Sequence, residues 1–317
     1  MTTRNFPRRV RSFSFGSLIP ALGLAFGLAA TPSAFSALIV YEGFDYDAGS
    51  QLFGLNGGAG WATPWSATAA ALATNVSVGL SYGALATTGG GVVMGNPSES
   101  TTTTASSQRL LPDTMGNLAA ADAGTLWLSF LSQNWRTETG GLPGFREAKL
   151  SLFSGATTNA SGNANVNGSE KMNIGTPNTY AAGASDALSL YGGGAYVASS
   201  LATPRGADPD NTVFVVVRLD VDNTTATDTA YAWFNPSLAS EPMVGTAISF
   251  ASADLSAVNA LRLQAGNLNS SGTNAVFEAD EIRLGYTFAD VSVVPEPSVL
   301  WLFGFGLLAL APRIRKG

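Results

Sequence analysis

An all-β sandwich is the fold class this sequence predicts for its body, and three observations predict it. Charged residues make up only 12% of the 317, while Gly, Ala, Ser, Thr and Asn are abundant. That balance favours many short strands joined by small polar turns over long salt-bridged helices. Runs of β-branched and aromatic residues recur at strand length, bounded by Gly, Asn, Asp or Pro. No long amphipathic helix is legible, and no alternation of strand with helix.

The strand signals come in order. Residues 38–46 (LIVYEGFDY) open the body, followed by a Gly-rich stretch, Leu55-Asn56-Gly57-Gly58-Ala59-Gly60-Trp61, and by Pro64-Trp65. Turn residues mixed with large aromatics suit a loop folded against a sheet face. Further strands read at 125–133 (TLWLSFLSQ), 148–153 (AKLSLF), 212–221 (TVFVVVRLDV), 230–234 (AYAWF) and 275–286 (AVFEADEIRLGY). Val213 to Val217 is continuously apolar, which predicts a central strand buried on both faces. Residues 110–121 and 251–258 each have room for a turn of helix. The Thr/Ser/Asn/Gly stretches at 97–107 and 154–169 read as low-complexity loops.

Omissions close several chemistries. With no cysteine there are no disulfides, no thiolate metal sites and no cysteine nucleophile. With no histidine there is no Ser-His-Asp triad and no His-ligated zinc. Residues 37–294 carry nine basic and twenty-one acidic side chains, a net of −12, so a phosphate backbone is repelled and nucleic acid is an unsuitable partner.

Both ends differ from the body. Arg4, Arg8, Arg9 and Arg11 precede a short apolar run, residues 18–30, and a small-residue site at Ala34-Phe35-Ser36. This order predicts a signal peptide over 1–36 that directs export through the Sec translocon. Arg8-Arg9 hints at a twin-arginine signal, but Arg11 stands where such motifs carry a large apolar residue. At the other end, Pro295-Glu296-Pro297 precedes an apolar run, residues 299–311, and a basic terminus with Arg313, Arg315 and Lys316. Thirteen residues rise only about 20 Å against a hydrocarbon core of about 30 Å. Snorkelling by the basic side chains narrows the gap, and their charge keeps that end cytoplasmic.

Tripeptide, span and basic end in this order resemble the PEP-CTERM sorting domain. The resemblance implies that Pro295, Glu296 and Pro297 are the signal read by an exosortase, a membrane transpeptidase. Residues 299–311 would then be a transient single membrane helix in the inner membrane, and Arg313, Arg315 and Lys316 its stop. Pro312 departs from this pattern by ending the helix just before the basic cluster. A plain anchor that is never processed is the alternative. The segments expected are thus signal peptide 1–36, sandwich 37–290 and sorting tail 291–317.

YEGFDY near the start, NGGAGW soon after and DEIRLG before the tail make the body similar to concanavalin A-like (LamG-like) jelly rolls. That fold hosts sugar binding, glycan cleavage and adhesion alike. For cleavage, the residues to weigh are Glu278, Asp280 and Glu281, since two carboxylates must flank the bond. In regular strand alternation Glu278, Asp280, Ile282 and Leu284 share one face and Glu281 points away with Arg283. The carboxylate spacing of jelly-roll glycosidases is not kept, because positions 282 and 283 are Ile and Arg. The acids are then expected either near a strand end or in solvent.

Asp208, Asp210, Asp220 and Asp222, with Asp228 nearby, offer hard oxygen ligands for a structural Ca²⁺, although Asp is equally an ordinary turn former. Trp61, Trp65, Trp127, Trp135, Tyr191, Tyr196 and Trp233 are candidate sugar-stacking platforms or else core residues. The expectation is an exported surface or extracellular-matrix protein without catalytic residues or cofactor, associated with exopolysaccharide. A lectin-like glycan-binding module is the alternative, and a polysaccharide-degrading enzyme the third reading.

Overall fold

A computed structural model describes residues 38–95, 104–121, 124–133, 146–176, 187–192, 195–202, 212–225, 227–267 and 276–294. The strands, in chain order, are β1 (Leu38–Glu42), β2 (Ser66–Thr68), β3 (Ala73–Val76), β4 (Gly91–Met94), β5 (Thr104–Leu110), β6 (Thr125–Gln133), β7 (Arg146–Ser154), β8 (Ser169–Thr176), β9 (Ala187–Gly192), β10 (Ala195–Ala202), β11 (Val213–Asp220), β12 (Asp228–Phe234), β13 (Ile248–Ala253), β14 (Val258–Asn267) and β15 (Phe277–Gly285). Two short α-helices accompany them, α1 (Met115–Ala120) between β5 and β6 and α2 (Phe288–Val291) after β15, with 3-10 turns at Ala70–Leu72 and Val244–Thr246. The first sheet has the order β13-β12-β11-β6-β15-β4-β3, with β1 also on β15. The second runs β10-β9-β8-β7-β14-β5-β2. The chain passes from sheet to sheet at β1–β2, β2–β3, β4–β5, β5–β6, β6–β7, β10–β11, β13–β14 and β14–β15, and the result is an antiparallel jelly-roll sandwich.

The core between the sheets takes alternate residues from each strand. Leu126, Leu128 and Phe130 of β6 enter it, as do Val213, Val215, Val217 and Leu219 of β11 and Leu261, Leu263 and Ala265 of β14. Most of the intervening residues, Trp127 and Leu131 of β6 and Phe214 and Val216 of β11, are apolar too, because the first sheet is covered on its outer face as well. There Trp127, Leu131, Phe214, Val216 and Trp233 lie beneath Leu80, Leu85, Phe288 and Val291. The expected two-sided burial of 213–217 is what the fold shows.

The opening motif is a buried polar knot. Glu42 accepts hydrogen bonds from Trp65 Nε1 (2.9 Å), Tyr46 Oη (3.0 Å) and Phe44 N (3.1 Å), and pairs with Arg109 Nη1 of β5 at 2.5 Å. Arg109 also donates to Thr63 O and Asn56 Oδ1 and stacks over Trp61. The Gly-rich loop lies flush on β1: a Cβ at Gly60 (φ +78°) would meet Ile39 O at 1.9 Å, and one at Gly58 (φ +68°) would meet Tyr41 O at 2.2 Å. Only glycine fits both positions.

Three expectations need correction. Residues 104–107 are not loop but the start of β5, which pairs with both β14 and β2. Its small polar side chains carry no hydrophobic signal, so only pairing reveals it. Residues 251–258 hold the end of β13, a turn and the start of β14 rather than helix. The amide of Leu255 in that turn is held by Asp228 Oδ2 at 2.5 Å. The strand at 277–285 also breaks its own alternation, as described below. By contrast, helix at 110–121 is present as α1, with Thr114 Oγ1 capping Asn117 N. The loop expected at 154–169 joins β7 to β8. Among the described residues no helix is long and apolar enough to cross a membrane. The signal segment 1–36 and the span 299–311 lie outside them.

Candidate functional site

Of the three acids singled out for catalysis, Asp280 and Glu281 are sealed in rather than set in a cleft, while Glu278 is half-buried. β4 and β1 take successive stretches of one edge of β15, pairing with Phe277–Ala279 and Ile282–Gly285. At the handover Glu281 adopts φ +53° and the register against β6 shifts. This bulge inserts one residue, so Ala279 and Ile282 both enter the central core while Asp280 and Glu281 turn outward together. Asp280 and Ile282 therefore do not share a face, contrary to regular alternation. Glu278, the second residue of β15, does sit near the strand end and is half-buried, whereas Asp280 and Glu281 are neither at an end nor in solvent, at 0% and 1% exposed. Asp280 accepts from the Leu80 and Glu281 amides at 2.8 and 2.7 Å. Glu281 accepts from Thr88 N (2.5 Å), Tyr41 Oη (3.1 Å) and Arg283 Nη2 (2.5 Å).

Burial, with Glu281 beside it, pushes the Asp280 carboxyl up to about 9, against the pull of its two amide donors. Burial likewise raises Glu278 to about 7. A folded-state pKa above the unfolded one means the native chain keeps a proton that the unfolded chain releases. That contribution is complete below about pH 4 and is lost as pH rises towards about 9. Stability is therefore expected to fall between about pH 5 and pH 9 by on the order of 2 kcal/mol, about 4–8 °C in melting temperature. Asp280→Asn should flatten much of that slope in thermal melts; an unchanged slope would assign it to other groups.

Of the five candidate stacking aromatics whose side chains are described, three are core. Trp65 is fully buried against Phe44, and Trp127 stacks on Trp233 with centroids 5.8 Å apart beneath α2. Trp61 is half-buried and donates to Tyr41 O. Tyr191 is half-buried on β9. Trp135 and the side chain of Tyr196 lie outside the described residues. Of the candidate calcium ligands, Asp208 and Asp210 also lie outside them. Asp220 pairs with Arg218 at 2.8 Å, Asp222 closes a turn on Thr224, and Asp228 holds the Asp222 and Leu255 amides. Among the described residues no three acidic groups are placed to hold a metal ion.

A polar array that sequence reading missed covers the outer face of the second sheet. Because Ala148, Leu150 and Leu152 of β7, Met172 and Ile174 of β8, and Leu261 and Leu263 of β14 face the core, their neighbours Glu147, Lys149, Ser151, Asn173, Arg262 and Gln264 face outward. Lys149 Nζ sits 3.0 Å from Glu147 and 3.1 Å from Glu170. Asn173 donates to Glu170 at 3.1 Å, and Gln264 donates to Glu147. Burial alone would lower Lys149, but the two carboxylates outweigh it and hold its pKa above the ordinary value. Arg262 donates to Gln108 Oε1 (2.8 Å) and Asn167 O (2.9 Å) and lies 3.5 Å over the Phe153 ring. Burial lowers it to about 10. The Ser151 hydroxyl, buried within this array, has no hydrogen-bond partner among the described residues. The alternation that places these side chains together is visible in each strand, but three of the strands had no hydrophobic run long enough to read.

Solved structures similar to this chain include the lectin UEA-II complexed with galactose (12% identity over 67% of this chain and 89% of that one, TM-score 0.37). A Lotus tetragonolobus seed lectin (10%, 68% and 98%, TM-score 0.36) and a GH131 β-glucanase catalytic domain from Podospora anserina (13%, 63% and 75%, TM-score 0.35) are similar at the same level. Likeness of this degree bears on neither ligand nor activity. No curated protein sequence matches the chain. Residues 293–316 match the family model for the PEP-CTERM protein-sorting motif. That motif marks an exosortase-sorted surface protein: an exported precursor, anchored at the membrane and sorted to the cell surface.

Proposed function

We propose that this protein is a non-catalytic component of the cell surface or extracellular matrix, held on exopolysaccharide by the outer face of its second sheet after Sec-dependent export. The observation that supports this reading is the array around Lys149. Glu147, Lys149 and Asn173 are buried, at 3%, 8% and 2% exposed, and they hold the half-buried Glu170 and Gln264 in place, two side chains whose fixed donors and acceptors suit a hydroxyl-rich chain. Catalysis is poorly served by the same geometry. Both carboxylates meet at one ammonium, which fills the space a glycosidic oxygen needs between acid and base.

The test is co-sedimentation of the full chain with exopolysaccharide from its own host, with released reducing ends measured in the same tube. Retention without release is expected, reduced about tenfold by Glu170→Ala combined with Tyr191→Ala, in keeping with losing two direct contacts. Retention that ignores the double variant would move binding off this face. Release of reducing ends would restore the enzyme reading.

A further inference from the structure

Among the described residues five large apolar side chains are notably exposed: Phe53, Val78, Met243, Val244 and Val294. Met243, with Val244 next to it in the chain, and Val294 border two adjoining hollows that share Ser240 and Glu241. Met243 and Val244, 74% and 40% exposed, lie in the loop between β12 and β13. That loop and the segment after α2 line a hollow of about 500 Å³ that includes Leu238, Glu241, Phe288 and Val294. A neighbouring hollow of about 460 Å³ shares Ser240 and Glu241 and continues to Pro242 and Met243. The loop is braced, since Met243 O accepts from Trp233 Nε1 (3.1 Å) and Thr246 Oγ1 (2.8 Å), and Tyr82 Oη donates to Pro236 O. A fixed backbone thus holds Met243 out in water.

The chain itself says what lies opposite. Val294 is followed by four residues and then by the apolar span 299–311. Five residue steps reach at most about 17 Å even when fully extended. Wherever that span enters a bilayer, Val294 and its surroundings stay within that distance of the hydrocarbon edge. We infer that the Met243–Val244–Val294 patch is a lipid-contact surface, seated at the membrane interface while the tail is anchored. The inference rests on reading 299–311 as an anchor. No Lys or Arg stands in residues 235–247 or 286–294, so the contact is apolar rather than an attraction to anionic headgroups. Three side chains bind a bilayer weakly alone, but the tether makes the encounter intramolecular and raises the effective concentration accordingly.

The absence of cysteine makes the test direct. Met243→Cys and Phe53→Cys each create a single labelling site. Phe53 follows Leu52, which bonds to Ala73 of β3, at the far edge of the first sheet from β13. The full chain, labelled with an environment-sensitive dye, is mixed with phosphatidylcholine vesicles carrying shallow spin-labelled lipid, and flotation is measured first. The expected result is flotation of both variants, with quenching at position 243 at least about twice that at position 53. Flotation with equal quenching at both positions overturns the contact surface while leaving the anchor intact. Failure to float overturns the anchor and the contact with it.

Discussion

Arg109→Met is expected to lower the unfolding free energy by about 3–5 kcal/mol, because it leaves the Glu42 carboxylate buried without its cation. Glu42 is 0% and Arg109 1% exposed, with 2.5 Å between their charged atoms. Burial raises Glu42 and lowers Arg109, each opposed by attraction from the other. The pair therefore stands on its geometry: three further donors hold Glu42, and Thr63 and Asn56 hold Arg109. Glu42→Gln together with Arg109→Met should recover a good part of the loss, since the side-chain amide introduced at position 42 still accepts hydrogen bonds without carrying charge. Urea denaturation of the two single variants and the double variant measures this coupling. A single-variant loss under about 1 kcal/mol would mean that water reaches the pair.

Glu296→Ala is expected to abolish processing of the tail in the native host. A proline on each side restricts the residues around Glu296 towards extended backbone and disfavours helix. The sequence thus offers one carboxylate between two prolines just ahead of the apolar span, and removing it removes the only charge in that signal. Intact-mass analysis is the measurement. The wild-type protein should lack roughly the last twenty residues, in line with loss of a transient anchor, and the variant should keep them. If both forms keep the tail, the protein is a permanently anchored one, and the lipid-contact surface then describes its working state rather than a stage in its export.

The sequence was most informative where one residue type sufficed to carry a signal. The run at 125–133 coincides with β6, and the apolar stretch at 213–217 marks a strand lying between two cores. β14 pairs with both β5 and β7 in the second sheet, yet it was missed because Arg262 and Gln264 interrupt its apolar residues. β5 was hidden by Thr, Ala and Ser. In both cases long-range pairing, not local composition, makes the strand.

The candidate site divides the same way. Acids on the strand at 278–281 were legible, but their orientation was not, because a bulge is set by how β1, β4 and β6 divide the edges of β15. The Lys149 array draws on residues 147, 149, 170, 173 and 264, which no linear spacing connects. By itself the sequence determined the all-β class, the exclusion of cysteine and histidine chemistry, and the sorting tail, since composition and contiguous motifs are local properties. Only the tertiary structure decided which acids are buried, which aromatics are core and which face is polar. Those depend on register and sheet stacking, where one inserted residue reverses the side to which every following side chain points.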